Sequence, residues 1–188
     1  MLHPPVTISI AFVHGMLSGV RARGEPVDAF LTDADIDPKL LEQVSARVTA
    51  DQYVALFRSL TDRLDDDVLG FLTKPLRRGS FALVVRSAAS EDNLEAAMHR
   101  TARTLGLLQS DVALELVQAG SLAGVALCFN EASVARAVFL HELLLRSLWR
   151  LFAWLVGGRL PAVRFDFAFP SPPYAADDAR IFPAPLQF

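Results

Sequence analysis

The sequence predicts an α+β fold: a small, mainly antiparallel sheet packed with several helices, one of them long and in the C-terminal half. Three observations carry this expectation. A hairpin signal spans 111–130, helical apolar spacing recurs on both sides of it, and strand-like runs stand elsewhere. The order is helices, strand, helix, hairpin, helix, strand, which is not the alternation of a parallel α/β sheet.

Residues 8–20 read as a first helix, with Ile8, Phe12, Val13, Met16 and Val20 on one arc and His14, Ser18 and Arg21 opposite. Pro26 suits the first turn of a short second helix. Pro38, with Asp37 as its cap, opens another. Thr49-Ala50-Asp51-Gln52 is a capping box: the threonine hydroxyl takes one orphan N–H, and the glutamine side chain reaches back for another. Tyr53, Leu56, Phe57, Leu60 and Leu64 follow at helical spacing. Asp65, Asp66 and Asp67 read as an N-cap with acids in the first turn of a helix over 68–72. The triplet lacks the alternating spacing of a calcium loop. Pro75 and Gly79 bound a loop that carries Arg77 and Arg78.

Residues 79–86 are rich in branched and aromatic side chains and predict a strand. Ser90 is the expected cap of the next helix, with Glu91 and Asp92 in its first turn. Leu94, Ala97, Met98, Thr101 and Leu105 form its buried stripe, and His99 points to solvent with Arg100 and Arg103. The hairpin strands, 111–119 and 122–130, meet at Gly120-Ser121, a two-residue turn with glycine first. The longest helix starts at Asn130 or Ser133, runs to about Val156 and stops at Gly157-Gly158. In 163–169, Val163, Phe165, Phe167 and Phe169 alternate with Arg164, Asp166 and Ala168, the pattern of a half-buried strand. A proline-rich tail follows, with a short helix around 175–182. No internal repeat appears.

The chain has 188 residues, 52% of them apolar, which is enough for one well-buried domain, and the expectation is a single domain over 1–188. Its net charge of -3 argues against direct nucleic-acid binding. Cys128 stands alone, which excludes an internal disulfide and any cysteine-based zinc site. In an apolar strand it reads as a small core residue. The most apolar run, near 134–156, is interrupted by Arg136, His141, Glu142, Arg146 and Arg150, so it does not predict a membrane span. The N-terminus has no basic region ahead of its apolar part and is no signal peptide. A soluble, cytoplasmic protein with no membrane partner is expected. Only Lys39 and Lys74 of the 18 basic residues are lysine, a bias of GC-rich bacterial genomes.

No catalytic set emerges. The four histidines are scattered, no serine sits in a glycine-flanked elbow, and no glycine loop could cradle phosphate. A non-enzyme is expected, with no cofactor and no metal. Two features suggest binding. On the long helix Leu140, Leu144, Leu148, Leu151 and Leu155 face a core, while Phe139, Leu143 and Trp154 share the opposite arc with Arg146 and Arg150. Aromatics beside arginine are enriched in interfaces, so these five are the expected dimer interface, unless another layer of the domain covers them. Secondly, Arg86, Glu115, Arg164 and Asp166 are charges within strands and could line a pocket for a small polar effector. The alternative is cross-strand ion pairs on a wet sheet face. His141 joins this effector set, although its place on the apolar arc with Leu144, Leu145 and Leu148 favours a buried histidine satisfied by a hydrogen bond.

The segment order resembles a family. Its parts are the first helix, the 49–64 helix, Asp67-Val-Leu-Gly70-Phe-Leu, Gly79-Ser-Phe, and Ser90 followed by Leu94-Glu95-Ala96-Ala97. The hairpin, the long helix, Val163-Arg-Phe-Asp-Phe, Tyr174 and Phe182-Pro-Ala-Pro185-Leu-Gln-Phe188 complete it. Together they resemble the N-terminal sensor domain of a bacterial AraC-type transcription-regulator subfamily that commonly carries the label "arabinose-binding domain". Where that pattern has a further glycine and a serine-threonine pair, this chain has Ala82 and Ser87-Ala-Ala-Ser90. The resemblance implies a cytoplasmic regulator whose sensor domain binds a small-molecule effector, forms a homodimer, or both. DNA would be read only by a C-terminal helix-turn-helix domain, which is absent from this chain. The alternative is a stand-alone small-ligand binding or dimerisation module with no DNA-reading partner domain. The sugar in the family label is not carried over, and neither is any family binding residue.

Overall fold

A computed structural model describes residues 6–178 and 181–188. The chain forms two compact units, the first ending at Arg78 and the second beginning at Gly79.

In the first unit, β1 (Thr7–Ser9) pairs antiparallel with β2 (Arg47–Thr49), with Ile8 opposite Val48. This ladder uses the backbone of the first residues in the predicted helix, so α1 begins later, at Ile10–Ala22, with Ser9 as its N-cap. Ile10, Val13, Met16, Leu17 and Val20 are buried along its inner arc. A Cβ on Gly19 would lie 2.7 Å from the carbonyl oxygen of Leu69, so α1 approaches that backbone more closely than any side chain allows. The short α2 (Asp28–Asp33) and a 3₁₀ turn (Pro38–Glu42) follow, the latter capped by Asp37 as expected. α3 (Ala50–Leu64) carries the complete capping box: Gln52 N–H donates to Thr49 Oγ1 at 3.2 Å, and Thr49 N–H donates to Gln52 Oε1 at 3.0 Å. Asp33 ties α2 to α3, accepting two bonds from Arg63 and one from Ser59, which holds its carboxyl down at about 2.

The predicted helix over 68–72 does not form. Leu69 and Gly70 are both left-handed, with φ of 56° and 81°, and a right-handed helix cannot pass through them. Asp66 instead gathers a loop. Its fully buried carboxylate accepts the backbone N–H groups of Val68, Gly70 and Leu76 at 2.9–3.0 Å.

In the second unit, residues predicted as a strand form α4 (Ser80–Ala89), which packs against α5 (Leu94–Leu108). The composition of 79–86 suits a strand, but Val84 and Ala88 lie four residues apart and are both buried, which is helical spacing. Ser90 therefore closes α4, and Asn93 caps α5 through Ala96 N–H. The hairpin matches the expectation. β3 (Val112–Ala119) and β4 (Leu122–Phe129) pair antiparallel in register from Val112 opposite Phe129 to Ala119 opposite Leu122. Gly120 turns the corner at φ 62°.

The expected long helix is broken into α6 (Ala132–Ala135) and α7 (Val138–Leu155), and it ends at left-handed Gly157 and Gly158 as predicted. The predicted strand over 163–169 contracts to β5 (Phe165–Asp166). It pairs parallel with β6 (Leu186–Gln187), and α8 (Ala175–Asp178) lies between them in sequence. The described residues thus hold three separate two-stranded ladders, two antiparallel and one parallel, among eight α-helices. The α+β class stands, but no single sheet is built. One apolar cluster unites Val84, Ala97, Leu105, Leu114, Leu148 and Phe152, and a second gathers Phe165, Phe167 and Phe182. Among the described residues no helix is long and apolar enough to cross a membrane.

Candidate functional site

α7 is apolar along most of its length, and Glu142 is its one acid. Glu142, Leu145 and Trp149 recur at helical spacing along one stripe. Leu145 and Trp149 pack on the Phe165–Phe167–Phe182 cluster, with Trp149 edge-on to Phe165 at 6.5 Å. Glu142 is buried with them, 6% exposed, and its Oε1 accepts the Tyr174 hydroxyl at 3.3 Å. Tyr174 leads directly into α8, whose last residue, Asp178, is 2% exposed. Asp178 N–H donates to the Tyr174 carbonyl, and the Asp178 carbonyl accepts from Phe182 N–H. One tight turn therefore presents a phenol and a carboxylate together and runs on into the aromatic cluster.

Polar groups here exceed their partners. Glu142 Oε2, both carboxylate oxygens of Asp178 and the indole Nε1 of Trp149 are buried with no hydrogen-bond partner among the described residues. Burial, then the charge of Asp178, pushes the Glu142 carboxyl up to about 8, against a smaller opposing effect of the Tyr174 hydrogen bond. Burial, then the charge of Asp177, raises Asp178 to about 6. The Tyr174 hydroxyl also shifts upward, first by burial and then by the charges of Glu142 and Asp178. Isolated buried carboxylates are costly, and proteins ordinarily pair them or neutralise them. Here Glu142 lies beside the charge of Asp178, and among the described residues no basic side chain is bonded to the unpartnered oxygens of either.

The residues expected at an effector site are not brought onto one sheet face, because that sheet does not exist. Arg86 is exposed on α4, a helix. Glu115 is exposed on β3, near the half-buried Cys128 thiol, which burial and then the Glu115 charge push upward. Arg164 and Asp166 pair with each other at 2.9 Å on a different ladder. His141 alone adjoins the acidic cluster, as the sequence neighbour of Glu142. It is half-buried, stacked on Phe129 at 4.0 Å and edge-on to Phe169, and its Nε2 bonds the Ala135 carbonyl at 2.9 Å. Burial lowers its pKa.

The expected interface arc is only partly open. Phe139 is buried at 6% exposure, because the first turn of α7 is covered on several sides and Leu140 and Glu142 are buried with it. Leu143 is half-buried, Arg146 and Arg150 are exposed, and Trp154 is 62% exposed near the far end. Sequence reasoning missed Glu142, Asp178 and Tyr174 as a group. The one available signal was a single acid set within an apolar helix.

Among the described residues no group of three histidine, cysteine, aspartate or glutamate side chains could hold a metal ion. Against known families, the model for the arabinose-binding domain of AraC transcription regulators, N-terminal, matches residues 24–188. The chain belongs to this family. It is therefore a sensor domain of the AraC-regulator type, and the match runs across both compact units. A curated relative, the ornithine utilization regulator of Pseudomonas aeruginosa, is 25% identical over 182 residues. That alignment covers 96% of this chain and 54% of the relative, so this AraC-type domain spans about half the relative's length.

Proposed function

We propose that the two units act together as one cytoplasmic regulatory domain that binds a small-molecule effector and transmits its occupancy to a DNA-reading domain, without catalysis of its own. The observation that carries this reading is the family match across residues 24–188, which treats both units as one inherited module. An effector shifts such a switch only by binding one state better than the other. His141 and the acidic cluster beside it, rather than Arg86, Glu115, Arg164 and Asp166, form the effector end.

Thermal denaturation of the 1–188 chain with panels of amino acids, sugars and fatty acids tests this. L-ornithine is the first compound to try, given the relative's name. At about a hundredfold excess over Kd, the true effector class raises Tm by roughly 5–10 °C. No rise with any class would remove the effector-sensing reading.

The domain also self-associates as a homodimer through the open part of α7, where Leu143, Arg146 and Arg150 lead to Trp154. The 62% exposure of a tryptophan beside arginines supports this surface. Trp154→Ala should shift sedimentation from dimer toward monomer while the circular dichroism spectrum stays unchanged. A monomeric wild type, or an unchanged dimer in the variant, would count against it.

A further inference from the structure

Glu142, Asp178 and Tyr174 carry an unmet demand for positive charge. Three of the four carboxylate oxygens of Glu142 and Asp178 have no partner among the described residues, and both residues are more than nine-tenths buried. The two carboxyls are not hydrogen-bonded to each other, so they do not share a proton as an acid dyad would. The described residues near them supply no third carboxylate, histidine or cysteine in a metal-holding group. That leaves an organic cation as the chemistry that fits. A primary ammonium offers three N–H donors, enough for one oxygen of Glu142 and one of Asp178 with a donor to spare.

The surroundings suit a cation carried on a short aliphatic stem. Along the α7 stripe, Leu145 and then Trp149 follow Glu142, and Phe182 follows Asp178 by one turn, so apolar and aromatic surface continues directly from the charged pair. Methylene groups would lie against that surface, and aromatic faces favour a neighbouring cation. The Trp149 indole N–H is a second unpartnered group on the same stripe. As a donor it suits a carbonyl or carboxylate oxygen elsewhere on the ligand.

We propose that Glu142 and Asp178, with Tyr174 bridging to Glu142, form a binding site for a small aliphatic ammonium compound, which names the effector class within the sensor reading above and rests on it. The cation supplies a positive charge that no described side chain brings to these oxygens, so occupancy stabilises the turn bearing Tyr174 and α8 against α7. The raised proton affinities of both carboxyls agree with a site that lacks its counter-charge.

Titration calorimetry and thermal denaturation of the 1–188 chain test the site with 1,4-diaminobutane and n-butylamine as probes and with butanoate and butanol as charge-reversed and neutral controls. The wild type should bind the amines and gain Tm, with no gain from either control. Glu142→Gln and Asp178→Asn each preserve shape and remove the capacity to carry the negative charge that a bound cation would favour. Each should weaken amine binding by at least about tenfold, the loss of one charge-assisted hydrogen bond. Arg86→Ala, on α4, should leave binding unchanged. Amine binding that survives in both carboxamide variants would overturn the site. A Tm gain with butanoate or another anionic or neutral compound, and none with amines, would overturn the ligand class while the sensor reading stands. No gain with any compound class would remove both.

Discussion

Asp66 in the first unit and Glu142 in the second are both buried carboxylates, and they are supported in opposite ways. Asp66 is fully buried, yet three backbone N–H groups point at it, and the positive charge of Arg23 partly offsets the burial that raises its pKa. Glu142 is buried almost as completely but has one phenol at 3.3 Å and a like charge in Asp178. Desolvation acts on both. Asp66 meets it with donors the chain provides, which fixes the loop between α3 and α4. Glu142 meets it with almost none, which is the arrangement of a site that receives its partner from outside.

The largest expected effect comes from removing the satisfied acid. Asp66→Ala strands three buried N–H donors, and each hydrogen bond to a charged group is worth about 1.5–3 kcal/mol. A loss of about 3–5 kcal/mol should lower Tm by roughly 10 °C or more in thermal denaturation. A loss below about 1 kcal/mol would erase the contrast between the two acids.

Glu142→Gln should act in the opposite direction, and only in one pH range. The folded carboxyl titrates at about 8 against an unfolded reference of 4.5. Between those values the folded state keeps a proton that the unfolded state has released, so wild-type stability falls as pH rises through this window. Glutamine has no proton to lose. The variant should therefore match wild type near pH 4.5 and exceed it at pH 8 by up to about 4 kcal/mol, roughly 10 °C in Tm. Equal Tm differences at both pH values would show that the effect is packing alone.

The smallest effect sets the baseline for an ordinary polar contact. Thr49→Ala opens the capping box of α3 and should cost about 1 kcal/mol. Denaturant melts at pH 5 and pH 8 should give the same loss, since neither partner titrates. A pH-dependent loss would mean that charge enters the first unit by a route other than Asp66.

These contrasts follow how far each feature could be read in the sequence. The capping box, the Gly120-Ser121 hairpin and the Gly157-Gly158 stop are local: each needs a few adjacent residues of the right type, and each formed as expected. α4 was misread because local composition favours a strand, while packing of Val84 and Ala88 beside α5 decides for a helix. The acids at 65–67 read as an N-cap and first turn of a helix, but the backbone that Asp66 binds is a loop. The left-handed turn at Leu69 and Gly70 diverts the chain from a helix. The acidic cluster was least visible. Glu142 meets Tyr174 and Asp178 only through tertiary structure, 32 residues or more along the chain, and nothing in the spacing of those residues announces it.

The most direct measurement is the carboxyl carbon titration of Glu142 by NMR on the 1–188 chain, with and without 1,4-diaminobutane, using Asp66 as the internal comparison. Without the amine, Glu142 should titrate near 8. With the amine its midpoint should fall by at least about one pH unit, because the cation favours the charged form, while Asp66 stays unmoved. A Glu142 midpoint near the ordinary glutamate value, or one that ignores the amine, would contradict the reading of this cluster as a cation site.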